Sequence, residues 1–121
     1  MPKDLSVSIL LDFYANALTE KQREVVEMYY NEDLSLAEIA HHVGISRQGV
    51  RDSIKRGEMV LFDLEEKLGL AERFGALRLA IEDITRNIEN IEEQNDRFCF
   101  SSEITKSVNN IKAITGKLLD D

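Results

Sequence analysis

The 121-residue sequence holds one cysteine, one proline and six glycines. The lone Cys99 excludes an intramolecular disulfide and suits a reducing cytosol. With so few turn formers, long helices are expected. No apolar run approaches the roughly 20 residues needed to cross a bilayer, so no membrane span is expected. The opening "MPKDLSVSILLDFYANAL" carries two acids among its apolar residues and lacks a small-residue cleavage site, which argues against a signal peptide. Strand-period alternation and hairpin turn pairs are missing as well. Positive charge is the other scarcity. Lys and Arg number 15 against 23 Asp and Glu, a net charge of -8. Proteins that hold DNA by bulk attraction are basic, because neutralised phosphates and released counterions supply the affinity. Any DNA contact here must therefore come from a local patch or be reinforced by pairing of two chains.

What is present supports a folded, cytoplasmic, all-α protein. Apolar residues make up 43% and charged residues 31%, and folding at this size buries roughly 65% of the unfolded chain's surface. The first helix is expected over 7–18, with Ile9, Leu10, Phe13, Tyr14 and Leu18 on a broad apolar side. "TEKQ" is a capping box in which the Thr19 hydroxyl and the Gln22 side chain satisfy each other's backbone N–H groups, and it opens the second helix. "SLAE", Ser35 to Glu38, is a second box and opens a helix over 36–43, which Gly44 ends as a left-handed C-cap. Ser46 is the N-cap of a fourth helix. Its apolar stripe, Val50, Ile54, Gly57, Leu61, Leu64 and Leu68, steps by 4 and 3 until Gly69.

From Phe74 the pattern restarts. Phe74, Leu77, Ile81, Ile84, Ile88 and Ile91 alternate steps of 3 and 4, a heptad seam that "EEQNDRF" is expected to break. A last helix over 102–119 offers Ile104, Val108, Ile111, Ile114 and Leu118 on one face. The seam either folds back on this helix or meets a second chain, and both fit one homodimer. A boundary near Gly69 divides a domain of residues 1–69, net charge -5, from a helical hairpin or coiled-coil extension of residues 70–121, net charge -3, with dimerisation expected there.

The segment "LAEIAHHVGISRQGVRDSIKR", residues 36–56, carries the chemistry. Leu36, Ile39, Ala40 and Val43 form the inner face of one helix, and Val50 and Ile54 that of the next. Gly44 permits the sharp turn, and Ile45 plugs the angle. Two helices joined so tightly cross steeply, which is helix-turn-helix geometry. The outer face of the second helix then holds Arg47, Gln48, Arg51, Asp52, Lys55 and Arg56. Between Ser46 and Arg56 stand four basic residues and one acid, the sole sizeable positive patch. Such a helix enters the major groove N-terminus first, so Arg47, Gln48 and Arg51 are expected at base edges. Arg donates two bonds to guanine, and Gln pairs bidentately with adenine. Lys55 and Arg56 lie further along, at phosphates, and Ser46 with the free N–H groups around it suits a phosphate at the helix start. Gly49, mid-helix, either lets the backbone approach DNA or reflects no constraint. Helix-turn-helix units also dock proteins, so a protein partner stays open.

Residues 18–56, "LTEKQREVVEMYYNEDLSLAEIAHHVGISRQGVRDSIKR", resemble region 4 of bacterial sigma factors, a four-helix domain that reads promoter DNA. "LLDFYANALTEKQ", "ISRQGV" and "IKRGE" are similar to the YlxM family of small bacterial helix-turn-helix proteins, most strongly over residues 8–70. Members are typically encoded beside the genes for the signal recognition particle GTPase and its receptor. The resemblance therefore implies a DNA-binding regulator connected with protein targeting. The alternative is an adaptor that binds the signal recognition particle GTPase or its RNA. The resemblance carries over no catalytic residues, and Arg51 stands where relatives more often have an aromatic, so a shared base preference is not implied.

Other reactive side chains are read as structural. His41 and His42 are adjacent and cannot chelate from one helical face. Cys99, between Phe98 and Phe100, is expected to be a small buried side chain. No phosphate-binding glycine loop, nucleophile elbow or zinc-protease pair occurs. The expected protein is non-enzymatic, holds no cofactor or metal, and works as a homodimer on DNA.

Overall fold

The computed structural model describes residues 3–120. Six α-helices and no strand occur among them: α1 (Ser6–Tyr14), α2 (Glu20–Tyr30), α3 (Leu36–Val43), α4 (Arg47–Leu68), α5 (Leu70–Gln94) and α6 (Ser102–Asp120). No helix among the described residues is long and apolar enough to cross a membrane. The chain forms two compact units, Met1–Ala71 and Glu72–Asp121.

Local signals set most helix ends in the first unit. Thr19 Oγ1 accepts from the Gln22 N–H at 3.2 Å while Gln22 Oε1 accepts from the Thr19 N–H at 3.1 Å, so α2 begins on a complete capping box. Ser35 and Glu38 repeat the arrangement at α3. Gly44 sits at φ 72° and Gly69 at φ 62°, left-handed positions that end α3 and α4. The first helix departs from its expected span. It stops at Tyr14, and Ala15–Ala17 tighten into a single 3-10 turn. Leu18 after that turn is buried, whereas Ile9 lies on the exposed side of α1 and outside the core.

Two apolar clusters fill the first unit. Val7, Leu10, Leu11, Tyr14, Leu18, Val26 and Leu61 join α1 and α2 to the distal half of α4. Val25, Tyr29, Ile39, Val50 and Ile54 join α2 and α3 to its proximal half. The long α4 is thus the shared wall of both clusters. Its stripe meets α2 most closely at Gly57, where a Cβ would stand 2.8 Å from Val26 Cγ2.

Two tyrosines fasten α4 to its neighbours. Tyr30 Oη donates to Glu58 Oε1 at 2.7 Å, and burial, then this carboxylate, raise the Tyr30 phenol's pKa. Tyr14 Oη donates to Glu65 Oε1 at 2.7 Å and accepts the Leu70 N–H at 3.0 Å. Glu65 Oε1 also accepts the Ala71 N–H at 3.0 Å. Together Tyr14 and Glu65 satisfy the first N–H groups of α5, which a helix cannot satisfy by itself. This clamp explains why the first unit extends two residues beyond Gly69.

In the second unit, α6 returns along α5. The expected break falls within "EEQNDRF", residues 92–98. Helix α5 runs to Gln94, and Asn95–Cys99 continue as one wide π turn before Phe100 reverses the chain at φ 49°. Buried Asn95 stitches the bend. Its side-chain amide donates to the Ser101 carbonyl at 3.1 Å and Thr105 Oγ1 at 3.0 Å, and accepts the Ser101 N–H at 2.7 Å. Cys99 is exposed, contrary to the buried position expected from its aromatic neighbours. Phe98 and Phe100 are themselves exposed, so they enclose nothing.

Candidate nucleic-acid interface

The helix-turn-helix is built from α3, the three residues 44–46, and α4. Gly44 and Ile45 both donate their N–H groups to the Ala40 carbonyl, at 2.9 and 3.3 Å, so the reversal is complete within one turn. Ile39, Val50 and Ile54 are fully buried between the two helices and α2. Burying these three positions forces the remaining residues of the first α4 turns outward. Arg47, Gln48, Arg51, Asp52, Lys55 and Arg56 are all exposed.

The six residues read from the sequence fall into distinct places on that surface. Arg47, Gln48 and Arg51 line one cleft with Leu36 from the start of α3, about 320 Å³ in volume. Arg56 lies in a second cleft of about 470 Å³, where Thr19, Lys21 and Gln22 from the start of α2 face Gly49, Asp52 and Ser53. Lys55 is exposed and lines neither cleft. Ser46 Oγ accepts the Gly49 N–H at 2.9 Å, so its acceptor is engaged in capping α4. Gln48 Nε2 donates to Asp52 Oδ1 at 3.0 Å, a bond that has to open before the amide can pair with a base. The sequence reading missed Lys21. The capping box next to it was legible, but that the box packs beside Arg56 is a tertiary fact.

Gly49 serves the turn. A Cβ there would stand tightly at 3.2 Å from Ser46 Oγ, within the protein's own cap, and in ordinary contact with Ile45 Cδ1 at 3.5 Å. His41 and His42 are exposed on α3, their rings 6.3 Å apart.

The electrostatic arrangement separates this face from the rest. In the first unit, Lys3 pairs with Asp33 at 2.6 Å, Arg23 with Glu27 at 3.0 Å and Lys67 with Asp63 at 3.0 Å. Among the described residues, no ion pair joins a carboxylate to Lys21, Arg47, Arg51, Lys55 or Arg56. The cations left without a counterion in this unit are therefore those of the α4 outer face and its adjoining cleft. Asp52 is the one carboxylate lining either cleft. At the start of α3, acceptance of the Ser35 N–H, then the Ser35 hydroxyl contact, hold the Glu38 carboxyl below its usual range. Glu38 therefore stays anionic near neutral pH.

Comparisons with known proteins agree with this geometry. Residues 1–99 match the UPF0122 family, described as "Putative helix-turn-helix protein, YlxM / p13 like". A UPF0122 protein of Acetivibrio thermocellus is 46% identical over 92 residues, 76% of this chain and 79% of that one. A UPF0122 protein of Clostridium novyi is 40% identical over 111 residues, 92% of this chain and 96% of the relative. A third, from Desulforamulus reducens, is 35% identical over 114 residues, 94% and 91% of the two chains. The YlxM resemblance drawn from "LLDFYANALTEKQ" and "ISRQGV" is thus a shared family. This helix-turn-helix chain belongs to UPF0122.

Proposed function

We propose that this protein is a non-enzymatic, DNA-binding regulator that lays the first turns of α4 in a major groove and acts in the signal recognition particle pathway. Arg47, Gln48 and Arg51 read base edges from the cleft beside Leu36. Lys55, Arg56 and Lys21 hold phosphates, which fix position without reading sequence. Ser46 brings the open N–H groups at the start of α4 to a further phosphate. The pathway assignment rests on the YlxM resemblance. Cytoplasmic action as a homodimer belongs to the same reading, because two motifs double the phosphate contacts available to an acidic chain.

One observation carries the DNA reading. Lys3, Arg23 and Lys67 pair with carboxylates of their own unit, whereas Arg47, Arg51, Lys55 and Arg56 on the first turns of α4, and Lys21, do not. Exposed ion pairs of this kind are worth ~0–1 kcal/mol, so unpaired cations cost the fold little and remain available to an anionic partner. The total of -8 does not veto this, because exposed charges beyond a Debye length of about 8 Å are largely screened. It does imply weak non-specific binding.

The test is titration of labelled duplex DNA at low and physiological salt, with an Arg47/Arg51/Lys55 triple alanine variant beside the parent protein. We expect affinity to fall by roughly 100-fold or more, since each bidentate base contact is worth ~1–3 kcal/mol. The slope of log K against log salt should also flatten by about 0.9 for each phosphate contact removed. Equal binding by both proteins, or none by either, overturns the groove reading. The bond that holds Gln48 to Asp52, together with the acidic total, favours a second reading. In it the protein is an adaptor for the signal recognition particle GTPase or its RNA. Binding to the purified GTPase that survives the triple substitution supports that alternative.

A further inference from the structure

The heptad seam of the second unit is only half closed. Ile81 and Ile88 on α5 and Asn95 in the π turn that continues it recur every seven residues and are buried, as are Val108 and Thr115 on α6. These columns face each other across the hairpin. On one side Lys112 Nζ reaches Glu92 Oε1 at 2.9 Å, so that flank is polar and tied down. The opposite flank is apolar and open. Leu77, Ile84 and Ile91 on α5 are 47%, 46% and 49% exposed. On α6, Ile111, Ile114 and Leu118 are 40%, 59% and 47% exposed. The two open columns meet on one face, because Ile91, Ile104 and Ile111 line a single groove of about 360 Å³.

The neighbours of these columns sharpen the picture. Positions continuing the open face are Ala80, Asn87 and Gln94 on α5 and Ser107 on α6. None is charged, in a chain whose residues are 31% charged, and Glu103 in the first turn of α6 is the one charged residue lining the groove. The six half-exposed side chains alone leave on the order of 500 Å² of apolar surface, at the upper end of the largest patch on a typical monomer. With the intervening small and uncharged residues the face approaches the ~800 Å² that each partner contributes to a standard interface.

We infer that this face pairs with its counterpart on a second copy of the chain, closing a four-helix bundle. The argument is self-complementarity. Leu77 to Ile91 and Ile104 to Leu118 each span fourteen residues, about 21 Å of helix, and they run in opposite directions within the hairpin. A two-fold rotation therefore lays the α5 column of one copy along the α6 column of the other, with the same seven-residue spacing on both. That spacing is what knobs-into-holes packing of a left-handed bundle requires, and a two-fold axis closes the assembly at two copies. An anionic lipid surface fits poorly, since residues 72–121 carry seven basic and ten acidic side chains and interfacial helices need a basic rim. The inference deepens the homodimer component of the reading above by naming its surface, and it does not depend on DNA.

Sedimentation equilibrium of the full-length chain, from about 1 to 100 µM, tests the pairing at affinities typical of specific association. Three proteins are compared: the parent, Ile84→Glu/Ile111→Glu on the open face, and Leu79→Glu on a separate exposed position of α5. Circular dichroism checks that each remains helical. The parent and Leu79→Glu should sediment at twice 13.8 kDa. The double variant should sediment as one chain, its association weakened roughly 100-fold or more by carboxylates placed where no counterion waits. A parent of one-chain mass overturns both the face and the homodimer. A double variant that stays paired overturns the face alone and leaves the homodimer to another surface. DNA titration of the same proteins reports separately on α4.

Discussion

At the residue scale, Gly57 and Tyr14 carry more of the first unit's geometry than their types suggest. Gly57 stands in an apolar stripe of α4, where glycine normally weakens a helix by about 1 kcal/mol. Its value is the close approach to Val26, with Gln22 and Leu18 just beyond at 3.9 Å. Gly57→Ala therefore gains helix propensity but forces a methyl to 2.8 Å from Val26 Cγ2. Overpacking should win, with a net loss of roughly 1–3 kcal/mol read from the urea midpoint. An unchanged or raised midpoint would show that α2 and α4 can separate at no cost. The stripe itself was legible as a 4-3 repeat. Which of its members touches another helix was not, because periodicity names a face and not a distance. Tyr14 is similar: its apolar role was read from the sequence, while its hydroxyl finds Glu65 fifty-one residues away.

At the element scale, the caps were the most legible feature. Thr19, Ser35, Ser46, Gly44 and Gly69 all terminate helices where their chemistry says they should, since a cap acts within about four residues of chain. The two capping boxes differ in one respect. That of α2 uses Gln22, which does not titrate, whereas that of α3 uses Glu38, whose carboxyl is held low by the Ser35 N–H and hydroxyl. A carboxyl lowered on folding contributes stability that is present above its unfolded value, about 4.3. That contribution is lost as pH falls through the lower folded value. Denaturation midpoints measured from pH 7 to pH 3 should therefore drop on the acid side. Glu38→Gln, which keeps the box as Gln22 does, should make that drop shallower. A remainder stays, since Asp4 and Asp33 are also held low, by Ser6 and Lys3 respectively. An identical acid limb in the variant would count against the Glu38 contribution. What resisted reading is the form of two turns that no local signal sets. The 3-10 turn after Tyr14 follows from the need to bury Leu18, and the π turn after Gln94 from the need to seat Asn95. Asn95 reads as a loop former in the sequence and behaves as a core residue in the hairpin.

At the scale of the molecule, the two units differ in how much they bury. The first has two apolar clusters bridged by α4, whereas the described apolar residues buried in the second are Ile81, Ile88 and Val108. Isolated helices draw most of their stability from packing rather than propensity. Residues 1–71 alone should therefore melt cooperatively, as followed by circular dichroism. Residues 72–121 alone should be poorly helical when dilute and gain helicity as concentration rises. A concentration-independent, cooperative melt of the second fragment would show that the hairpin is complete without a partner.

The chain's own order of residues determined the helix-turn-helix, its caps, its positive outer face and its family, because each is written in short-range spacing. Tertiary structure decided which charges remain available. Lys3 reaches Asp33 over thirty residues and Lys112 reaches Glu92 over twenty, while Arg47, Arg51, Lys55 and Arg56 acquire no such partner. It also decided which half of the heptad seam is covered, since α6 has one face to offer and the seam has two sides. Both outcomes have the same physical cause: burial and the counterions of Lys3 and Lys112 are supplied by segments distant along the chain, so no local pattern specifies them.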